Sequence, residues 1–243
     1  MKTTLKILTF ALIFAFGVQS VSAETCLDLE KGKIHQLKRL ETAKAKIFEQ
    51  DAVSLKAVKE KQADKVAHIQ EKTEARVLEL ETILNDLQAL PGQSETIQNT
   101  VATISENISL YTKNTEDSLT TFSSGVDKTL DEKTKVIKNV VEQYEASVVQ
   151  LYDKALVSCK KSNYNQDIFE RDLKAAQKRV LDAEKNSKRI LQGIDSLYAS
   201  LSLALDESDT SLNLVLKSIQ TSLLENPPED LKPLSLFRLW RML

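Results

Sequence analysis

Apolar residues recur three and four positions apart along most of the chain, a pattern typical of long amphipathic helices. The most regular run lies in the last third: Phe169, Leu173, Ala176, Val180, Ala183, Ser187, Ile190, Ile194, Leu197 and Leu201. The pattern goes on to Leu205 and Leu223, although the step from Leu201 to Leu205 is a second four in succession. Alternating steps of three and four are the a/d spacing of a coiled coil. This segment is therefore predicted to be one helix whose a and d residues form a continuous apolar stripe, which we call the seam.

The middle third repeats this spacing in two runs: Ile97, Val101, Ile104, Ile108 and Tyr111, then Ile137, Val141, Tyr144, Val148, Leu151 and Ala155. A weaker, largely polar zone from Asn114 to Gly125 separates them. The first third carries a similar stripe, which is looser between Gln50 and Lys65. The weak zone predicts either a kink in one long helix or a break into four or five shorter helices.

Strong helix breakers occur at few places. Proline is absent from Cys26 to Leu90 and from Gln93 to Asn226, whereas Pro91-Gly92 forms a breaker pair. Since proline costs a helix interior about 3 kcal/mol, this distribution permits very long helices. Ser94 is predicted to cap the second helix. A second turn is predicted at Ser162–Asn165, with Asn165 as the next cap and Tyr164 packing on Phe169 as a hydrophobic staple.

Three segments of about 60 residues joined by short turns predict an all-α fold. We expect an elongated antiparallel three-helix coiled-coil bundle of up-down-up topology. The domain boundaries that follow are a signal peptide at 1–23, the bundle at 24–226 and a C-terminal tail at 227–243.

The two cysteines occupy matched positions around the first turn. Cys26 lies 66 residues before Gly92, and Cys159 lies 67 residues after it. Antiparallel helices with the same rise per residue bring such positions to one level. We therefore expect a Cys26–Cys159 disulfide that pins the first two helices together. The alternative is two unrelated thiols, one of them pairing with another chain.

The N-terminus has the three parts of a secretory signal peptide. Lys2 and Lys6 precede an apolar run from Ile7 to Val18, and Val21-Ser22-Ala23 forms a small-residue cleavage site. This predicts an exported protein, secreted or periplasmic, or in the secretory lumen or extracellular space of a eukaryote. An oxidising destination also suits a disulfide.

The C-terminal tail interleaves apolar and basic residues. A candidate docking segment contains Leu236, Phe237, Arg238, Leu239, Trp240 and Arg241. Such a segment can contact a protein partner or lie peripherally on a membrane surface. The alternative is that it folds back as a cap on the bundle end near Pro91.

Charge and motifs narrow the function classes. Without residues 1–23 the chain has 31 basic and 35 acidic residues, interspersed along its length, which argues against a nucleic-acid partner. No nucleotide-binding, hydrolase or metalloprotease motif occurs. His35 and His68 are too far apart in sequence to suggest a metal site. Because five glycines leave few places for a catalytic pocket, we expect no enzymatic activity, no metal and no cofactor.

Three functional hypotheses remain. The first is an exported structural or protein-interaction rod with an unidentified protein partner and an open oligomeric state. The second is a bundle that binds lipid or a small apolar ligand, lined by the zone around Thr115 with Tyr111, Tyr144 and Ser187. The third is a periplasmic holdase-like chaperone. A hairpin pinned by a disulfide opposes wide opening, which favours the first hypothesis.

Overall fold

The computed structural model describes residues 26–90 and 94–225. Three helices occupy nearly all of this range: α1 (Cys26–Gln88), α2 (Glu95–Lys160) and α3 (Gln166–Glu225). The predicted all-α fold with three helices of about 60 residues is confirmed. Helix α2 runs unbroken through Asn114–Gly125, so the alternative of four or five shorter helices is not adopted. The signal peptide at 1–23, the Pro91-Gly92 pair and the tail at 227–243 lie outside the described residues.

Side chains cap both predicted helix starts. The Ser94 hydroxyl accepts a hydrogen bond from the Ile97 amide at 3.4 Å, and the Asn165 carboxamide oxygen accepts one from Ile168 at 3.1 Å. These contacts satisfy backbone donors that lack a partner within the first turn. The rings of Tyr164 and Phe169 lie 6.3 Å apart, which confirms the predicted staple.

Helix α2 ends in a Schellman-type turn. The Ser162 amide donates to the Cys159 carbonyl at 2.9 Å, and the Asn163 amide donates to the Ser158 carbonyl at 3.0 Å. This motif requires a left-handed residue, usually glycine, just past the helix. Here that residue is Ser162, with a φ of 57°.

The helices contribute to two compact units, each described here by itself. The first unit comprises described residues 26–60 and 127–194, and the second comprises 61–90, 94–126 and 195–225. Each unit thus takes one portion of every helix.

The first unit is held together by a continuous apolar core. Interhelical pairs Lys33–Asp153 and Lys44–Glu145 show that α1 and α2 run antiparallel, because positions rise on one helix as they fall on the other. The rings of Tyr152 and Phe169 meet edge to face at 5.0 Å and join α2 to α3. One cluster of this core contains the buried residues Leu29, Leu40, Ala43, Ile47, Ile137, Val141, Tyr144, Val148, Tyr152, Ala155, Phe169, Leu173, Ala176 and Val180.

The second unit has the same topology. The Lys61 ammonium lies 5.4 Å from the centre of the Tyr198 ring, and Arg76 donates to the Asn213 carboxamide at 3.0 Å. In both contacts the residue on α3 lies 137 positions after the residue on α1, as expected if these two helices run parallel. Two apolar clusters form part of the core here, and their buried members are Leu80, Ile83, Leu87, Ile104, Tyr111, Leu212, Leu216, Ile219 and Leu223.

The spacing of buried positions differs from the predicted heptad. On α2 the steps are four, four and three from Phe122 onward, giving Phe122, Val126, Leu130, Lys133, Ile137, Val141, Tyr144, Val148, Tyr152 and Ala155. This is an eleven-residue repeat of about 3.67 residues per turn, closer to a straight helix than the heptad's 3.5. Seam assignments were therefore wrong in register at several positions. Tyr152, Glu184 and Leu191 are buried, whereas the predicted seam residues beside them, Leu151, Ala183 and Ile190, are half-buried.

Candidate functional site

The predicted disulfide is present in the first unit. Cys26 and Cys159 are bonded, with their Cα atoms 5.7 Å apart. They join the first residue of α1 to the last turn of α2, so the bond fixes the register of these two helices. Both cysteines of the chain are used, and no free thiol remains.

An ion pair lies inside the core of the first unit. The Lys133 ammonium of α2 donates a hydrogen bond to the Asp51 carboxylate of α1. Their side chains are only 1% and 5% exposed. Lys133 occupies a position of the eleven-residue repeat of α2, where an apolar side chain is the rule. Sequence analysis missed the pair because charged residues between Gln50 and Lys65 were interpreted only as a loosening of the stripe.

Other polar side chains are buried in the first unit, on α3. Glu184 is buried and accepts from the half-exposed Lys188 ammonium at 2.9 Å. Ser187, a predicted ligand contact, is also buried. Tyr144, a second predicted ligand contact, is packed in the apolar core. Burial raises the pKa of its hydroxyl to about 12, although a hydrogen bond with the Gln177 side chain acts in the opposite direction.

A polar cluster in the second unit surrounds Tyr111. Its hydroxyl hydrogen-bonds with the Asp209 carboxylate and the Thr73 hydroxyl. Burial, reinforced by the bond to Asp209, raises the pKa of Tyr111 to about 12. The sequence offered a partial signal, because Tyr111 was assigned to the seam, but it did not identify the partners from the other two helices.

Three hydroxyls of the second unit are buried without a partner among the described residues. These are Thr115 Oγ1 on α2 and the Tyr198 hydroxyl and Ser208 Oγ on α3. A buried hydroxyl that lacks a hydrogen bond is destabilising by roughly 1–3 kcal/mol. Thr115 and Tyr111 belong to the second unit, whereas Tyr144 and Ser187 belong to the first. The four predicted ligand contacts are therefore divided between two cores.

Within residues 26–90 and 94–225, no group of three or more His, Cys, Asp or Glu side chains is arranged to hold a metal ion. Both His35 and His68 are exposed on α1. The same part of the chain contains no helix that is long and apolar enough to span a membrane. The candidate docking residues Leu236 to Arg241 lie outside the described residues.

The two units carry opposite net charge. The described residues of the first unit include 22 Lys and Arg against 17 Asp and Glu, for a formal charge of +5. Those of the second include 6 Lys and Arg against 15 Asp and Glu, for −9. Charges of both signs alternate along each helix, which concealed this division in the linear sequence. The division of charge becomes visible when charge is summed over each folded unit, because each unit is built from segments that are separated in sequence.

Exposed cations of the first unit form two stripes, which we call the basic stripes. On α3, Lys174, Lys178, Lys185 and Arg189 are exposed at spacings of four, seven and four. On α1, Lys31, Lys38 and Lys46 are exposed at spacings of seven and eight. At 3.6 residues per turn, each set lies on one side of its helix.

The second unit presents acidic side chains instead. Exposed carboxylates include Glu71 and Glu74 on α1 and Asp206 and Glu207 on α3. None of these four has an ion pair within its unit, whereas Glu79 pairs with Arg76 and Asp209 contacts Tyr111. The four are therefore available to a partner without breaking a contact within the unit.

The chain matches no protein-family model, and comparison with curated proteins and with solved structures gives no match.

Proposed function

We propose that this chain is an exported, non-catalytic helical protein that acts as a structural or protein-interaction element. The observation that carries the proposal is the opposite formal net charge of the two units, +5 against −9. Complementary potentials steer association and set specificity between protein surfaces. A molecule with one basic and one acidic unit offers two distinct binding surfaces on one scaffold.

Features of the core support a scaffold role. The Cys26–Cys159 bond and the Asp51–Lys133 pair each tie α1 to α2 within the first unit. Rigid elements hold interaction surfaces in fixed positions, which lowers the entropy lost on binding. The disulfide also suits an oxidising compartment. Together with the signal peptide predicted at 1–23, it supports a secreted or periplasmic location.

The experiment is affinity capture with the mature chain, residues 24–243. The immobilised chain is incubated with the native envelope or secretory fraction, then washed at about 20 mM and at about 500 mM salt, because screening weakens exposed charge pairs. Proteins retained at low salt and released at high salt are the expected result. If nothing is retained beyond what binds an unrelated helical protein of similar charge, the proposal fails.

A version ending at Asn226 tests the candidate docking tail. Loss of a captured protein on truncation would place binding at Leu236 to Arg241, and unchanged capture would place it on the helical units. Flotation of both versions with vesicles tests the expected peripheral membrane contact. Binding that truncation abolishes would support a tail that rests on lipid.

Binding of a small apolar ligand is the second candidate. A groove of about 310 Å³ in the second unit runs between α2 and α3, with Phe122, Leu197 and Leu201 among its lining residues. Native mass spectrometry of the protein as purified and after delipidation is the test, since a bound lipid would appear as an added mass only before delipidation. The holdase hypothesis predicts suppression of client aggregation by the mature chain.

A further inference from the structure

We propose that the partner of the basic stripes is a second copy of this chain, which presents its acidic second unit. The proposal rests on the proposed function and names the partner for it. One surface of the chain carries the charge that the other surface requires, so each copy supplies both halves of the contact. The contact joins a basic surface of one copy to an acidic surface of the other.

The basic side of this contact is exposed. Lys38 and Lys46 on α1, and Lys174 and Lys178 on α3, are exposed and make no ion pair with another described residue. By contrast, Lys185 lies 4.0 Å from the Asp182 carboxylate on its own helix. The first four cations can therefore bind a partner without giving up an ion pair within residues 26–90 and 94–225.

The acidic side is equally exposed on the second unit. Glu71 and Glu74 lie three residues apart on α1, so they share a side of the helix. Asp206 and Glu207 are adjacent and both exposed on α3. Because the unit has 15 carboxylates and only 6 cations, its field attracts a basic surface along several helix turns.

The strength of the contact follows from exposure. Individual solvent-exposed charge pairs contribute little, and salt screens them. Several pairs acting together give weak, reversible, salt-sensitive association and no permanent dimer. The contact is therefore sought at high protein concentration and low ionic strength.

The test uses two matched variants of the mature, disulfide-bonded chain. The basic variant carries Lys38→Gln, Lys46→Gln, Lys174→Gln and Lys178→Gln, which lowers the formal charge of the first unit from +5 to +1. The acidic variant carries Glu71→Gln, Glu74→Gln, Asp206→Asn and Glu207→Gln, which changes the second unit from −9 to −5. All eight positions are exposed, and circular dichroism with a urea unfolding midpoint checks that both variants fold.

Sedimentation velocity measures association at about 20 mM and about 500 mM NaCl, between which the Debye length falls from roughly 20 Å to about 4 Å. We expect the weight-average sedimentation coefficient of the wild type to rise with protein concentration at low salt and to fall to the value of the monomer at high salt. Each variant alone should associate about tenfold more weakly than wild type. An equimolar mixture of the two variants should recover association, because the intact acidic unit of one meets the intact basic stripes of the other.

Three outcomes overturn the proposal: a monomeric wild type at low salt, variants that associate like wild type, or a mixture that does not recover association. Flotation with vesicles of phosphatidylglycerol and phosphatidylcholine provides a further arm. Retention by the vesicles that only the basic variant loses, without self-association, would make the basic stripes a membrane-binding surface instead. Capture of a different protein by a monomeric chain would refute the self-contact and leave the proposed function standing.

Discussion

Lys133 and Asp51 form a hydrogen-bonded ion pair with almost no exposure to water. Removing two charges from water costs several kcal/mol per ion, which their mutual attraction offsets only while both are present. Each charge thus depends on a partner from another helix. The pair favours the one pairing of α1 and α2 that brings these two residues together.

Removing one partner should be strongly destabilising. We expect Lys133→Met to lower the free energy of unfolding by about 3–5 kcal/mol, because it leaves the Asp51 carboxylate buried and uncompensated. The double variant Asp51→Leu/Lys133→Met should recover the wild-type value or exceed it by about 1–4 kcal/mol. Urea unfolding followed by circular dichroism measures both.

The matched control is Lys135→Met, which breaks an exposed pair with Asp131. These two side chains are 70% and 63% exposed, and solvent-exposed pairs of this kind contribute little to stability. Equal effects of Lys133→Met and Lys135→Met would show that the buried pair has no special role.

The disulfide should stabilise the chain mainly by restricting the unfolded state. Cys26 and Cys159 are 133 residues apart, and closing a loop of this size contributes about 5 kcal/mol in the chain-entropy model. Cys26→Ser/Cys159→Ser should therefore unfold at a markedly lower urea concentration. The control is reduced wild type, which should unfold at the same urea concentration as the double variant. If the oxidised protein also unfolds at that concentration, the prediction is wrong.

Two glycines in helices should respond to alanine by different amounts. A Cβ at Gly193 meets no atom within 4 Å, so Gly193→Ala should stabilise by about 1 kcal/mol through helix propensity. A Cβ at Gly125 would lie 2.9 Å from Leu197 Cδ2, so part or all of the same gain is lost in moving that side chain. Thermal unfolding compares the two; a larger gain at Gly125 would be inconsistent with the close packing against Leu197.

Glycine should be preferred at the end of α2. Ser162 holds a φ of 57°, where a side chain costs an L-residue roughly 1 kcal/mol. Ser162→Gly should thus raise the unfolding free energy by up to about 1 kcal/mol, partly offset by the greater backbone freedom of glycine when unfolded. Ser105→Gly, at an exposed position within α2, is the control and should lower it by about 0.5 kcal/mol.

The raised pKa of Tyr111 predicts that the fold loses stability in alkali. Its pKa is about 12 in the fold, whereas an unfolded tyrosine titrates near pH 10. Since the unfolded chain releases this proton first, the contribution is present below about pH 10 and is lost as pH rises towards 12. Unfolding free energies across this range should fall less in Tyr111→Phe than in wild type. Identical slopes would indicate that Tyr111 titrates normally.

Local signals in the sequence predicted the helix ends and the covalent link. Ser94, Asn165 and the Tyr164–Phe169 contact act through neighbouring residues, so their roles can be deduced from short segments. The pairing of Cys26 with Cys159 followed from counting residues away from one turn. In each case the relevant geometry was that of a single helix or a single hairpin.

Packing among three helices was harder to predict. Leu151 and Tyr152 are both compatible with a seam, and only the angular drift over several turns decides which is buried. The Asp51–Lys133 pair was missed because each residue alone has the character of a surface position. The opposite charges of the two units were missed for a related reason, since each total gathers segments that are far apart in sequence.

The eleven-residue repeat also constrains how the length of this chain can change. Inserting or deleting one residue within a helix turns everything beyond it by about 100°, which would carry Tyr152 or Lys133 out of the core. A block of eleven residues restores the facing direction, but the other two helices then need matching blocks at the same level. Changes in helix length that keep the core therefore come in matched sets of three, one block for each helix.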